Sequence, residues 1–336
     1  WDDDYNLDIV QDIRAELVRL ATDCRRDDYT SVPMQGSGTY SVESVLTCSV
    51  PDTGKLLILS NGAYGDRMTE IARYGRLRHE VLSFPETETV CPDTVDRFLD
   101  RHDEITHVSF VHCETTTGIL NPLDDLCRAV KRHGRRLIVD AMSSFGGIPF
   151  DAGSLGIDFL VSSANKCIQG VPGFGFIVAR KEALEECRGN ARSLSLDIYD
   201  QWETMEKTPG KWRFTSPTHV VRAFQQALKE LCAEGGITAR HARYTANHRL
   251  LTDGMTRLGY LPLLPAETRS PIITSFLYPD PAFDFKSFYG KLKQKGFVIY
   301  PGKISQADTF RIGTIGDIYE RDIKMLVEAV GSIRTA

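Results

Sequence analysis

Asp140 closes the apolar run Arg136-Leu-Ile-Val-Asp140, and Lys166 lies just past the next run, Ile157-Asp-Phe-Leu-Val-Ser162, 26 positions further on. An acid at the end of an apolar strand is costly to bury unless a cation meets it. A lysine just past a buried strand can lose its proton through desolvation and serve as an amine nucleophile. Taken singly, the first reads as a backbone cap and the second as a solvated surface residue. The spacing separates them from those readings. It matches what a pyridoxal phosphate site requires: an acid to keep a ring nitrogen protonated, an amine to bond an aldehyde carbon, and a loop to hold a phosphate.

Other strand ends carry residues that suit the same chemistry. Gln35-Gly-Ser-Gly-Thr39 precedes a helix-like stretch, Tyr40 to Thr47. Its glycines permit a tight turn, and the helix start offers free N–H groups to a phosphate, with Ser37 and Thr39 adding hydroxyls around Gly38. A plain turn before a helix would look the same. Asn61-Gly-Ala-Tyr-Gly-Asp66 offers Tyr64 as a stacking platform or an interfacial aromatic, and Glu114-Thr-Thr-Thr-Gly118 is dense in hydroxyls.

The elements that must position these residues alternate. Short apolar runs at 55–60, 107–112, 136–140, 157–162 and 175–180 are separated by helix-like segments near 66–75, 92–102, 122–133 and 181–187. Such alternation predicts an α/β fold with a mostly parallel sheet covered on both faces, and ligands outside the carboxyl ends of its strands. An amphipathic helix is expected over 6–24. Two long helices, 218–233 and 238–258, flank Gly235-Gly236. Beyond them the pattern becomes strand (272–277), helix (285–295), strand (297–300), strand (309–312), helix (320–333), a small α+β unit. The expected division is 1–235, a large cofactor-binding domain, and 236–336, a small C-terminal domain.

Composition narrows the function classes. The 336 residues carry a net charge of −5, which argues against a nucleic-acid binder. No apolar run approaches the ~20 residues of a membrane span. None of the eight cysteines forms a C-x-x-C pair or a zinc-like cluster with histidine, so no metal is expected and the thiols read as reduced and mostly buried. A cytoplasmic location follows as an expectation. No G-x-G-x-x-G follows the first strand, which disfavours a dinucleotide-dependent oxidoreductase. A binding module without catalysis would not need both Lys166 and Asp140.

Three stretches carry a resemblance: Val111-His-Cys-Glu-Thr-Thr-Thr-Gly118, Val139-Asp-Ala-Met-Ser-Ser-Phe-Gly-Gly147 and Ser162-Ser-Ala-Asn-Lys-Cys-Ile-Gln-Gly-Val-Pro-Gly173. They resemble the class-V aminotransferases, fold-type I pyridoxal-phosphate enzymes. Lys211-Trp-Arg-Phe-Thr-Ser-Pro-Thr218 and Gly296-Phe-Val-Ile-Tyr-Pro-Gly-Lys303 extend the likeness over essentially the whole chain. The resemblance implies that Lys166 carries pyridoxal 5'-phosphate as a covalent aldimine and that Asp140 meets its pyridine nitrogen. It implies Tyr64 on the ring face, Ser37, Gly38, Thr39 and Ser163 at the phosphate, and Thr115 or Thr117 near the ring hydroxyl. Thr215 would reach the phosphate of a second subunit, so a homodimer with sites at its interface is expected. Arg311 would hold the substrate's anionic group, with Arg213 or Lys303 as a candidate second anchor.

Within the family the likeness is to the branch that moves the amino group of 2-aminoethylphosphonate to pyruvate. The resemblance implies phosphonoacetaldehyde and L-alanine as products, and ping-pong kinetics. The alternative is an alanine–glyoxylate or serine–pyruvate aminotransferase. A cysteine desulfurase needs a nucleophilic cysteine on a mobile loop, whereas Cys167 reads as a core residue. Family members carry an N-terminal Thr-Pro-Gly-Pro-like stretch lining the anion pocket, and the chain, which begins at Trp1, is expected to start downstream of it.

Overall fold

The computed structural model describes residues 2–302, 304 and 307–334. Its central strands are buried on both faces, which is what a parallel sheet covered by crossover helices demands. The strands are β1 (Tyr29–Gln35), β2 (Leu56–Ser60), β3 (His79–Ser83) and β4 (His107–Val111), a small hairpin of β5 (Cys113–Glu114) and β6 (Ile119–Leu120), then β7 (Arg136–Asp140), β8 (Phe159–Ser163) and β9 (Phe174–Arg180). The main sheet runs in the order β1-β9-β8-β7-β4-β2-β3. From β3 to β8 every neighbouring pair is parallel, whereas β9 runs antiparallel to both β8 and β1. The alternation of period two splits each strand. Leu57, Leu59, Val108, Phe110, Leu137 and Val139 face one core, and Leu56, Ile58, Ile138 and Val161 face the other.

Helices cover both faces. α1 (Asp12–Ala21), α4 (Pro92–Leu99), α5 (Leu123–Arg132) and α8 (Thr218–Glu234) pack on the first core. On the second lie α2 (Gly38–Ser49), α3 (Ala63–Tyr74), α6 (Lys181–Glu185) and α7 (Ile198–Lys207). α8 ends at Gly235, whose φ of 108° is left-handed, and α9 (Gly236–Arg257) starts at once. α9 leads into a second sheet of β10 (Ile273–Leu277), β11 (Tyr300–Pro301) and β12 (Thr309–Gly313), covered by α10 (Phe285–Gln294) and α11 (Glu320–Arg334). Leu251, Met255, Phe276, Phe310 and Ile323 give this part its own core.

Four sequence expectations change. The N-terminal helix opens with a π-helical stretch, Tyr5–Gln11, before α1. β1 and β3 were not expected; both are sheet edges, and β1 carries Pro33, which an edge strand tolerates. The run at 175–180 is not reached by a helical crossover, because residues 164–173 turn straight back to give the antiparallel β9. The strand expected at 297–300 shrinks to Tyr300–Pro301, since the Phe297 amide still donates to the Leu292 carbonyl in the turn that closes α10.

Candidate active site

β2, β4, β7 and β8 all point their carboxyl ends the same way, and β1, two antiparallel steps from β8, points with them. Their five following segments converge on one cavity of about 210 Å³. Ser37, Gly38 and Thr39 reach it from β1, Tyr64 and Arg67 from β2, Val111 and Cys113 from β4. Asp140, Met142 and Ser143 come from β7, and Ser163, Asn165 and Lys166 from β8. Seven of the sequence-predicted residues therefore meet: Ser37, Gly38, Thr39, Tyr64, Asp140, Ser163 and Lys166, and Arg67 joins them unforeseen.

The cradle at the start of α2 is open for an anion. Ser37 is the N-cap in extended conformation, and its side chain caps no helix amide. A side chain at Gly38 would collide with Met142, so the backbone there stays bare and close to the cavity. The positive end of a twelve-residue helix thus faces the cavity beside the Ser37 and Thr39 hydroxyls.

Asp140 is buried, and its Oδ1 accepts from the Met142 amide at 2.8 Å. Burial, chiefly, pushes its carboxyl up to about 7; nearby Glu114 adds to the rise, while Lys166 and Arg67 work against it. No basic side chain forms an ion pair with Asp140 among the described residues. A buried carboxyl on a cavity, with no ion-pair partner among the described residues, fits a protonated ring nitrogen. These observations, with the anion cradle and a lysine on the same cavity, fit pyridoxal phosphate: Lys166 for the carbonyl carbon, Asp140 for the ring nitrogen, and the 37–39 loop for the phosphate.

The loop that carries Lys166 is clamped from behind. Arg240, almost wholly buried on α9, donates from Nη1 to the Cys167 carbonyl at 2.7 Å and pairs with Glu234 at 2.8 Å. Glu234 also pairs with Arg243, whose Nη1 donates to the carbonyls of Gly316 (2.7 Å) and Ile318 (2.9 Å). Gln169, held at a positive φ of 68°, donates to the Tyr244 hydroxyl at 2.7 Å. Cys167 is fully buried, its thiol turned toward the Ser143 carbonyl and pushed well above its ordinary pKa by burial. It is a packed core thiol, not an accessible nucleophile.

The remaining sequence-predicted residues lie elsewhere. Thr115 and Thr117 do not line the cavity. The Thr117 hydroxyl accepts from the Ile119 amide at 3.3 Å inside the 114–118 turn, and the Thr115 carbonyl accepts from Arg311 Nη1 at 2.8 Å. Arg311, on β12, is buried, donates from Nε to the Pro301 carbonyl at 3.0 Å, and burial pulls its pKa below the usual value. Thr215 lines a separate cavity with Tyr5, Asn6 and Lys211–Ser216. Arg213 is turned to Asp200 and the Leu194 carbonyl. Lys303 lies outside the described residues. Arg67 was missed because nothing in a strand-end reading fixes the phase of the helix that follows. Its signal is the i+3 offset from Tyr64, over whose ring its guanidinium sits at 5.1 Å.

This sheet, with an aspartate ending β7 and a lysine in the loop after β8, defines a fold-type I pyridoxal-phosphate enzyme. Residues 34–303 match the aminotransferase class-V family, and the chain belongs to it. Relatives named 2-aminoethylphosphonate–pyruvate transaminase align along almost all of it. The one from Phocaeicola vulgatus is 64% identical over 99% of this chain and 92% of its own length. That of Syntrophobacter fumaroxidans is 61% identical over 98% and 88%, and that of Vibrio cholerae 57% over 98% and 90%. Among solved structures, pyridoxamine–pyruvate aminotransferase from Mesorhizobium loti superposes with a TM-score of 0.89 at 24% identity, covering 99% of this chain and 86% of that one. Alanine–glyoxylate aminotransferase from Nostoc sp. gives 0.88 at 22% identity over 97% and 86%. These two share the fold. Among the described residues no helix is long and apolar enough to cross a membrane.

Proposed function

We propose that this chain transfers the amino group of 2-aminoethylphosphonate to pyruvate, giving phosphonoacetaldehyde and L-alanine with pyridoxal phosphate as cofactor. The observation that carries the chemistry is the meeting of buried Asp140 with Lys166 on one cavity beside the bare start of α2. The substrate choice rests on the 57–64% identity to relatives of that name.

Pyridoxal phosphate supplies an electrophilic carbonyl carbon and a ring that withdraws electrons from the substrate's amine-bearing carbon. Lys166 Nζ would hold that carbonyl carbon and, as a free amine, would take the proton from the substrate's amine-bearing carbon. Asp140 holds a proton at the ring nitrogen, a charge-assisted contact that a dry, buried carboxylate makes strong. The N–H groups at the start of α2, with Ser37, Thr39 and Ser163, bind the phosphate, and Tyr64 covers the ring face. Arg67 lines the cavity and Arg311 bonds to the turn after β4, and planar donors of this kind suit phosphonate and carboxylate oxygens alike. The same reading includes the division into domains 1–235 and 236–336. It also includes a homodimer in which Thr215 reaches the second subunit's phosphate, and a cytoplasmic enzyme.

A half-reaction tests this reading. The cofactor-loaded protein is mixed with 2-aminoethylphosphonate and no keto acid, and its visible absorption band is followed. Loss of the band, with recovery on adding pyruvate, is the expected result. A response to L-alanine and L-serine but not to the phosphonate would move the chain to the carboxylate-specific aminotransferases.

A further inference from the structure

Glu114 is fully buried in the short hairpin after β4, and the chemistry above does not use it. Its Oε2 accepts from the Tyr64 amide at 3.0 Å, in the first turn of α3. Its Oε1 accepts from the Thr116 hydroxyl at 2.8 Å and the Thr116 amide at 3.3 Å. The carboxylate thus caps a helix that has no cap of its own, since its N-cap is Gly62. Gly62 makes room for it: a side chain there would run into Glu114 Cγ and approach its Cδ to 2.6 Å. The backbone of the same turn faces the other way. The Thr115 carbonyl accepts from Arg311, and the Gly118 carbonyl from the Ser270 amide at 2.8 Å.

We propose that Glu114 is a positioning residue that sets Tyr64 against the cofactor ring and keeps it in register with Arg311. The inference rests on the cofactor reading above. One turn, 114–118, grips the start of α3 with its side chain and the guanidinium from β12 with its backbone, so a shift of Glu114 displaces both contacts together. The carboxyl also lies close enough to Asp140 to help push that group's pKa up.

The test compares Glu114→Ala, Glu114→Gln and Gly62→Ala in the cofactor-loaded enzyme. Three quantities are read: the cofactor dissociation constant, the visible circular dichroism of the bound cofactor, and KM against kcat for 2-aminoethylphosphonate. Glu114→Ala should raise the dissociation constant roughly tenfold, the scale of a lost helix cap, change the visible dichroism and raise KM. Glu114→Gln keeps an oxygen for the Tyr64 amide, with its NH2 turned to the Thr116 hydroxyl, and should recover most of the loss. Gly62→Ala keeps the carboxylate but displaces it, and should resemble Glu114→Ala. Should Glu114→Ala fail to fold, the other two variants carry the comparison. Wild-type dichroism and affinity in Glu114→Ala or Gly62→Ala, or Glu114→Gln no better than Glu114→Ala, would overturn the role. Failure of the wild-type protein to bind pyridoxal phosphate, or of borohydride to fix it to Lys166, would instead sink the cofactor reading itself.

Discussion

Arg311 Nη1 donates to the carbonyl of Thr115 at 2.8 Å, a bond between residues 196 apart in sequence. It joins β12 of the C-terminal sheet to the turn after β4, so this guanidinium is referenced to the main sheet and not only to its own strand. With Nε also donating to the Pro301 carbonyl, the Arg311 guanidinium is held in one orientation.

Replacing Arg311 by Lys keeps the charge and loses this fixed fork. KM for the phosphonate should rise at least tenfold with a smaller fall in kcat, measured by steady-state kinetics. Equal losses from Arg311→Lys and Arg311→Ala are compatible with this; a near-native KM in either is not.

Lys166→Ala should reduce transamination to background, because among the described residues no other lysine lines the cavity. The check is single-turnover loss of the cofactor band on adding the amino donor. Near-native rates would mean that another group moves the proton.

Asp140 makes a prediction in pH. Its folded-state pKa, near 7, lies above the ordinary 3.8, so between those values the native state binds more protons than the unfolded chain. Its contribution to stability is complete below about pH 4 and is lost as pH rises through about 7, on the order of a few kcal/mol. Urea midpoints of the cofactor-free protein at pH 5 and pH 8 should therefore differ less in Asp140→Asn than in wild type. Buried His107 and His112, held neutral and pushed down to about 4 and about 3, act in the opposite direction at acid pH, and the comparison between variants cancels them.

Gly38→Ala should weaken cofactor binding with little change in the helix that follows. Its φ needs no glycine, and the collision is with the thioether end of Met142. The double variant with Met142→Ala should recover affinity in a cofactor titration. No recovery would place the fault in the backbone and not in that contact.

Arg240→Met should cost about 3 kcal/mol in urea unfolding, since it frees two buried carbonyls and leaves Glu234 with one partner. Unchanged stability would show that the clamp behind the Lys166 loop is slack.

The sheet centre was legible because β2, β4, β7 and β8 are continuous apolar runs, a pattern that burial on both faces imposes. Asp140 and Lys166 were legible for the same reason, as charges placed where such runs end. β3 was not, because His79–Ser83 is a half-exposed edge with weak alternation. α7 was missed although Asp197 carries an N-cap signal, its side chain accepting from the Asp200 amide at 3.1 Å. Glu114 stood in view in its hydroxyl-rich stretch. Its partner, the Tyr64 amide, is 50 residues away, and no local pattern encodes that pairing.

Glu234 answers two arginines, one that grips the backbone after Lys166 and one that grips the backbone after β12. It also sits at the last residue of α8, against the left-handed Gly235 where the chain folds back into α9. A single carboxylate therefore ties the Lys166 loop and the segment after β12 to the same helix end. Its loss would unfasten both loops together, one behind the cofactor-facing sheet and one beyond the C-terminal sheet.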